Sequence, residues 1–258
     1  MRAHPASLRV DGLGVTYMTS QGPVEALRDV TFNVPDGAFV SIVGPSGCGK
    51  TTLLKLVAGL LSPSHGEVYL RGERVLRPRR EIGIVFQQPT LLPWKTVLEN
   101  VLVPIRAMGL NVKVKRDIAL SLLTMMRLDG FAKNYPHELS YGMQQRVAIA
   151  RGLIHDPMLL LMDEPFAALD GLTREVMCDE LQRIWIATGK SALFVTHSIA
   201  EAVYLSDWIV VMSPRPGNVL RVIAVDLPRP RDTSTIGAPR FAELATELRR
   251  MLYEMGVT

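Results

Sequence analysis

One stretch constrains this chain more than any other. Gly44-Pro45-Ser46-Gly47-Cys48-Gly49-Lys50-Thr51 follows an unbroken apolar run at 38–43 and precedes residues 50–60, whose apolar positions recur at helical spacing. The order is buried strand, glycine-rich turn, helix, which is the setting that the P-loop pattern requires. Glycines there let successive backbone N–H groups converge on phosphate oxygens, and the helix N-terminus adds the positive end of its dipole. Lys50 neutralises phosphate charge, and the Thr51 hydroxyl is a hard oxygen ligand suited to Mg²⁺.

Two further strand ends carry chemistry. Leu159-Leu160-Leu161-Met162 is an apolar strand that runs into Asp163 and Glu164, and adjacent acids at the end of a buried strand need a compensating charge. Beside a phosphate loop that charge is Mg²⁺: Asp163 holds it, and Glu164 orients or deprotonates the attacking water. His197 directly follows the apolar run 192–196. Ligands of open parallel sheets gather at the carboxyl ends of strands, so His197 is either a third member of the site or a helix-capping or surface residue.

The rest of the chain is organised around those strands. β-type runs at 8–17 and 24–34 precede the phosphate loop, and 67–70 and 82–86 follow it. A mainly helical block covers 96–127. From 158 the pattern alternates: strand 158–162, helix 172–187, strand 192–196, helix 198–205, strand 208–212, which argues for a parallel sheet with helices on its faces. A turn at Pro214, Pro216 and Gly217, a strand at 219–225, a Pro/Arg connector at 227–231 and a helix at 239–255 complete the chain.

At 258 residues the expectation is one α/β domain with an inserted or appended subdomain. No run of eighteen apolar residues offers a membrane span, and Met1 to Asp11 lacks the apolar centre of a secretory signal, so the chain is expected to stay inside the cell. Cys48 and Cys178 form neither a disulfide framework nor a metal-ligand spacing. The net charge of +4 is spread along the chain without an aromatic-basic motif, and nucleic acid is not an expected partner.

Leu139-Ser140-Tyr141-Gly142-Met143-Gln144-Gln145-Arg146, ahead of the Asp163 strand, resembles the signature sequence of ABC ATPases. Phe86-Gln87, Ala168-Leu169-Asp170 and His197 are similar to that family's Q-loop, D-loop and switch histidine, in the same chain order, and the resemblance covers 8–213. It implies an α/β P-loop NTPase fold, the ABC cassette: a mainly parallel sheet core, an N-terminal antiparallel β part and a helical subdomain. The expected division is a core at about 1–95 and 157–230, a helical signature subdomain at about 96–156 and a helical tail at about 231–258. The implied cofactors are ATP and Mg²⁺. By the resemblance ATP is held by Tyr17, by Gly44, Pro45, Ser46, Gly47, Cys48, Gly49, Lys50, Thr51 and Thr52, and by Ser140, Gly142 and Asp170. The implied metal ligands are Thr51, Gln87 and Asp163, and the implied catalytic residues are Glu164, His197 and Gln87. Tyr17 either stacks on adenine or packs on the core.

The signature has a physical rationale as a second phosphate grip. Ser140 can cap a helix whose free N–H groups around Gly142 face a γ-phosphate. In the family that phosphate belongs to the ATP of the opposite subunit, so a second ATP-binding subunit, as a homodimer, is an implied partner. Where the usual signature has two glycines, the first is here Tyr141, which the sequence places near the dimer seam as a possible brake on closure. Cys48 inside the loop is expected to be a thiol whose alkylation blocks hydrolysis and against which MgATP protects.

Leu91-Leu92-Pro93-Trp94, Met143, Ser213-Pro214-Arg215-Pro216-Gly217 and Asp226-Leu227-Pro228-Arg229-Pro230-Arg231 resemble the nitrate, sulfonate and taurine importer branch. The resemblance implies ATP hydrolysis coupled to solute import at the cytoplasmic face of the inner membrane. It also implies transmembrane permease subunits as partners and, indirectly, an extracytoplasmic solute-binding protein. Trp94 either anchors the permease contact or packs on the helical subdomain. Competing readings are a small-molecule kinase, which has no use for the signature, and a nontransport ABC ATPase, which usually joins two cassettes or inserts long coiled coils.

Overall fold

A computed structural model describes residues 6–20 and 22–256; the leader reading of Met1 to Asp11 lies partly outside them. The described chain holds two sheets. β1 (Ala6–Thr19), β2 (Gly22–Pro35), β4 (His65–Leu70) and β5 (Glu73–Arg74) form an antiparallel sheet in the order β2-β1-β4-β5. β3 (Phe39–Val43), β6 (Ile82–Val85), β7 (Leu159–Asp163), β8 (Ser191–Val195), β9 (Trp208–Met212) and β10 (Val219–Ala224) form the second, in the order β10-β9-β3-β8-β7-β6. Every pair of the second sheet is parallel except β10 with β9.

The central strands show why apolar runs without polar alternation are required. Leu160 and Met162 of β7 face one core, while Leu159 and Leu161 face the other. Phe194 against Leu193 and Val195 divides β8 in the same way, and Val211 against Val210 divides β9. Side chains alternate across a strand, so a strand covered on both faces must be apolar at every position. The first core lies under α2 (Val97–Val101), α3 (Val103–Ala107), α4 (Val112–Met125), α5 (Tyr141–Leu153), α6 (Gly171–Thr188), α7 (Ile199–Leu205) and α9 (Pro239–Glu254). The second lies between the sheets and α1 (Lys50–Val57).

The mixed-sheet α/β fold is the expected one, with local differences. The helix expected over 50–60 ends at Val57, because Gly59 adopts φ +70 and the Leu60 N–H turns back to Lys55 O at 2.9 Å. The block 96–127 is three helices, interrupted at Leu102 and again where Gly109 takes φ +67. Two short elements had no legible pattern: β5, and α8 (Thr233–Ile236), which is capped by Asp232.

The two Pro/Arg segments prove structural. Gly217 donates to Ala26 O at 2.9 Å and accepts from Arg28 N at 3.0 Å, pinning the 213–217 turn against β2; a Cβ at 217 would lie 2.0 Å from Cys48 O. Arg231, 3% exposed, donates to the carbonyls of Val203, Tyr204 and Ser206, the free end of α7, at 2.8–2.9 Å. Burial lowers its pKa to about 10.

Candidate functional site

Three neighbouring strands, β3, β8 and β7, end at one place. The loop after β3 delivers Lys50, the end of β7 delivers Asp163 and Glu164, and the residue beyond Thr196 at the end of β8 is His197. The loop turns into α1 at Gly49, whose φ of +103 is left-handed and whose Cβ, if present, would lie 2.6 Å from Leu27 Cδ2. Only glycine fits there. Lys50, 7% exposed, donates from Nζ to Gly44 O at 2.8 Å and Pro45 O at 2.9 Å, so its charge is held across the loop. Ser46 and Gly47 are exposed at the crest.

Thr51 Oγ1 donates to Asp163 Oδ1 at 3.2 Å. Burial pushes the Asp163 carboxyl above its ordinary value, with the adjacent Glu164 charge adding to the effect and Thr51 and two lysines opposing it. A carboxylate and a hydroxyl in contact at a desolvated strand end are hard oxygen donors of the kind that Mg²⁺ takes together with phosphate. Among the described residues no group of three His, Cys, Asp or Glu could hold a metal ion by itself.

Glu164 sits at φ +45, a conformation costly for a residue with a side chain, and is held there by its N–H donating to Val195 O at 2.9 Å. Its Oε2 lies 3.1 Å from His197 Nδ1. His197 is exposed and bonded to the proposed base, which resolves the open alternative against a capping role; Ser198 is the cap of α7, accepting from Glu201 N.

The loop of Gln87 begins where β6 stops. Gln87 is exposed, and its carbonyl accepts from Tyr141 Oη at 2.8 Å. Tyr17 Oη lies 3.3 Å from Thr52 Oγ1 with the residue 38% exposed, placing the ring at the rim of the loop instead of in the core. Ser140 caps α5 as its sequence position suggests, accepting from Met143 N at 3.3 Å. Gly142 is buried, and a Cβ there would meet Thr173 Cγ2 at 3.4 Å. Asp170 caps α6, its Oδ1 accepting from Thr173 N at 3.0 Å, and hydrogen bonds from the Thr173 hydroxyl and then its backbone N–H lower the Asp170 pKa.

One expectation is corrected. Cys48 is 1% exposed, pointing into the core below the loop, and burial raises its thiol pKa; the side chain is a packed apolar group and not a reactive thiol, so only its backbone can serve the loop. Tyr141 packs its ring against the first core and turns its hydroxyl to Gln87 of its own chain. Trp94 is 69% exposed, which removes the packed alternative.

Sequence reasoning missed Arg174, Thr196 and Glu201. Glu201, 5% exposed, accepts from Thr196 Oγ1 at 2.5 Å and pairs with Arg174 Nε at 3.4 Å, while Arg174 also donates to Leu169 O at 2.8 Å. Thr196 Oγ1 in turn accepts from Ser198 N at 2.9 Å, so the backbone on both sides of His197 is tied to the segment that carries Asp170. Ser198-x-x-Glu201 has the spacing of a capping box and hides this role, because only the tertiary contact diverts the carboxylate away from the helix end.

Residues 27–167 match the ABC transporter family. The chain is 47% identical to an uncharacterised ABC transporter ATP-binding protein of Methanocaldococcus jannaschii, over 89% of the chain and 86% of that protein. It is 46% identical to the taurine import ATP-binding protein TauB of Rhizobium johnstonii, over 95% and 96% of the two chains. Identity to the aliphatic sulfonates import ATP-binding protein SsuB of Bacillus cereus is 43%, over 89% and 90%. A dimeric ATP-binding cassette in a post-hydrolysis state, bound to ADP and Pi, superposes with a TM-score of 0.75 at 35% identity, covering 86% of this chain and all of that one.

Proposed function

The chain belongs to the ABC transporter family, and we propose that it is the ATP-hydrolysing subunit of an importer for nitrate, a sulfonate, taurine or a related small solute. The observation that carries the reading is the meeting of three strand ends: Lys50 in its loop, Asp163 on Thr51, and Glu164 on His197. Those groups supply what phosphoryl transfer to water needs, namely charge neutralisation and a positioned nucleophile.

In this reading the backbone of 44–49 and the N-terminus of α1 bind the phosphates of ATP, with Lys50 moving from its two carbonyls to phosphate oxygen. Thr51 and Asp163 would hold Mg²⁺ with Gln87, and the ion would supply charge stabilisation at the phosphates. Glu164 accepts the proton of the attacking water at Oε2 or fixes its direction, while His197 holds that carboxylate in place. Tyr17 lies where it can cover the base.

Ser140, Gly142 and Asp170 act on the nucleotide of a second copy, so two chains close around two ATP molecules. The neighbouring structure being a dimer of cassettes supports this. No described helix is long and apolar enough to cross a membrane. The likeness to import ATP-binding proteins supports a subunit that works on separate permease subunits at the cytoplasmic face of the inner membrane, with Trp94 at the contact and a solute-binding protein outside. Residues 96–156 form the helical part of one cassette, the rest its core and tail.

The test is ATP hydrolysis and sizing in MgATP for wild type beside Glu164→Gln. Loss of a general base lowers the rate by about 10²–10⁴. The variant is expected to be nearly inactive and to accumulate as an ATP-bound dimer. A variant that hydrolyses at the wild-type rate removes Glu164 from the chemistry. Failure of the chain to co-purify with any transmembrane permease subunit from detergent-solubilised membranes would count against the importer assignment.

A further inference from the structure

The irregular segment 86–90 is gripped from one side by a single helix. Tyr141 Oη donates to Gln87 O at 2.8 Å, Gln145 Nε2 to Phe86 O at 3.1 Å, and Arg151 to Pro89 O at 2.6 Å and Thr90 O at 2.8 Å. All three donors stand on α5. Tyr141 and Gln145 are four residues apart and share a face, and the long Arg151 arm reaches the same segment from further along the helix. Gln145 is fully buried and burial lowers the Arg151 pKa, so the flanking part of the grip is where a lost partner is most costly, while the Tyr141–Gln87 bond stands at its exposed end.

The grip joins two things with separate tasks. Gln87 belongs to the nucleotide site of its own chain, whereas the first turn of α5 carries Ser140 and Gly142, which the dimer reading assigns to the nucleotide of the other. Gln145 and Arg151 fix the flanks of the segment, but the hydroxyl of Tyr141 ties Gln87 itself to the signature turn. A glycine at 141 would have no hydroxyl to give.

We propose that Tyr141 is a positioning residue that couples the two nucleotide sites of a dimer, by locking Gln87 of one site to the turn that grips the nucleotide of the other. The inference rests on the two-copy reading above. A displacement of Gln87 on binding its own nucleotide is passed through this bond to Ser140 and Gly142, and closure on the second nucleotide is passed back. Coupling between sites is reciprocal. One net hydrogen bond corresponds to about a three- to tenfold change in an equilibrium, which lies within the range of measured site-to-site coupling.

The experiment uses Tyr141→Phe, which keeps the ring packed and removes only the donor, with Tyr141→Gly as a second way of breaking the bond. Amide hydrogen exchange of 86–90 in the nucleotide-free protein reads the tie, and the Hill coefficient for ATP in steady-state hydrolysis reads the coupling. Exchange is expected to quicken about three- to tenfold in both variants. The Hill coefficient should fall from above one in wild type toward one. Faster exchange with an unchanged Hill coefficient would reduce the bond to a structural tie and overturn the proposal, as would a wild-type coefficient of one. Wild-type protein that hydrolyses no ATP would sink the parent reading and this one together, and that outcome is distinct from an active, cooperative wild type matched by its Phe variant.

Discussion

The phosphate-loop end of the sheet and the signature end of α5 are built on opposite plans. At the first, residues that follow three strand ends bond within the chain: Lys50 to carbonyls of its own loop, Thr51 to Asp163, Glu164 to His197. At the second, Ser140 is exposed and caps its own helix, and Gly142 packs on Thr173. One region satisfies its polar groups within the chain. The other is a capped helix end, which the two-copy reading above assigns to a second copy's ligand.

The sharpest break in that comparison comes from removing charge at the self-contained end. Lys50→Ala should abolish ATP binding by the single chain and lower hydrolysis by about 10²–10³. Equilibrium binding of a fluorescent ATP analogue checks it, and retained binding would mean that the backbone cradle suffices without the lysine.

A middle-sized effect tests the network behind His197. Burial raises the Glu201 pKa, with Glu164 nearby adding to the shift and Thr196, Arg174 and His197 opposing it. A carboxyl whose folded pKa is raised is favoured protonated in the folded state. Its contribution to stability is therefore greatest below the unfolded value near 4.5 and is lost as pH climbs from there through the raised folded value. Glu201→Gln should flatten that slope in urea unfolding measured across this window. It should also lower the hydrolysis rate at neutral pH, because Thr196 loses its charged acceptor; an unchanged slope would mean that another group carries the acid-side dependence.

Ser140→Ala is the smallest perturbation and bears on the open end. Loss of the cap costs about 1 kcal/mol of helix stability. ATP binding by the isolated chain should survive it, while ATP-induced dimerisation of the Glu164→Gln background weakens. Sizing over a concentration series measures the shift, and equal loss of monomer binding would erase the distinction between the two ends.

Much of this was legible beforehand, and the reasons are local. The phosphate loop, the acid pair after β7 and the strand before His197 are contiguous in the chain, so spacing and hydrophobic pattern carry them. The Ser140 cap was readable because N-capping involves only residues three apart. The roles of Tyr141, Cys48 and Glu201 were not readable, since each depends on a direction that the side chain takes toward a residue distant in sequence: Gln87, the core under Gly44, and Arg174 with Thr196.

The sequence by itself determined the fold class, the nucleotide loop and the order of the catalytic strand ends, because backbone periodicity and glycine geometry are properties of neighbouring residues. Tertiary structure alone decided that Cys48 is inert, that α5 holds the 86–90 segment by its carbonyls, and that Arg231 closes α7. Burial, desolvation and hydrogen-bond satisfaction are set by what packs against a group, and that partner is named nowhere in the residues around it.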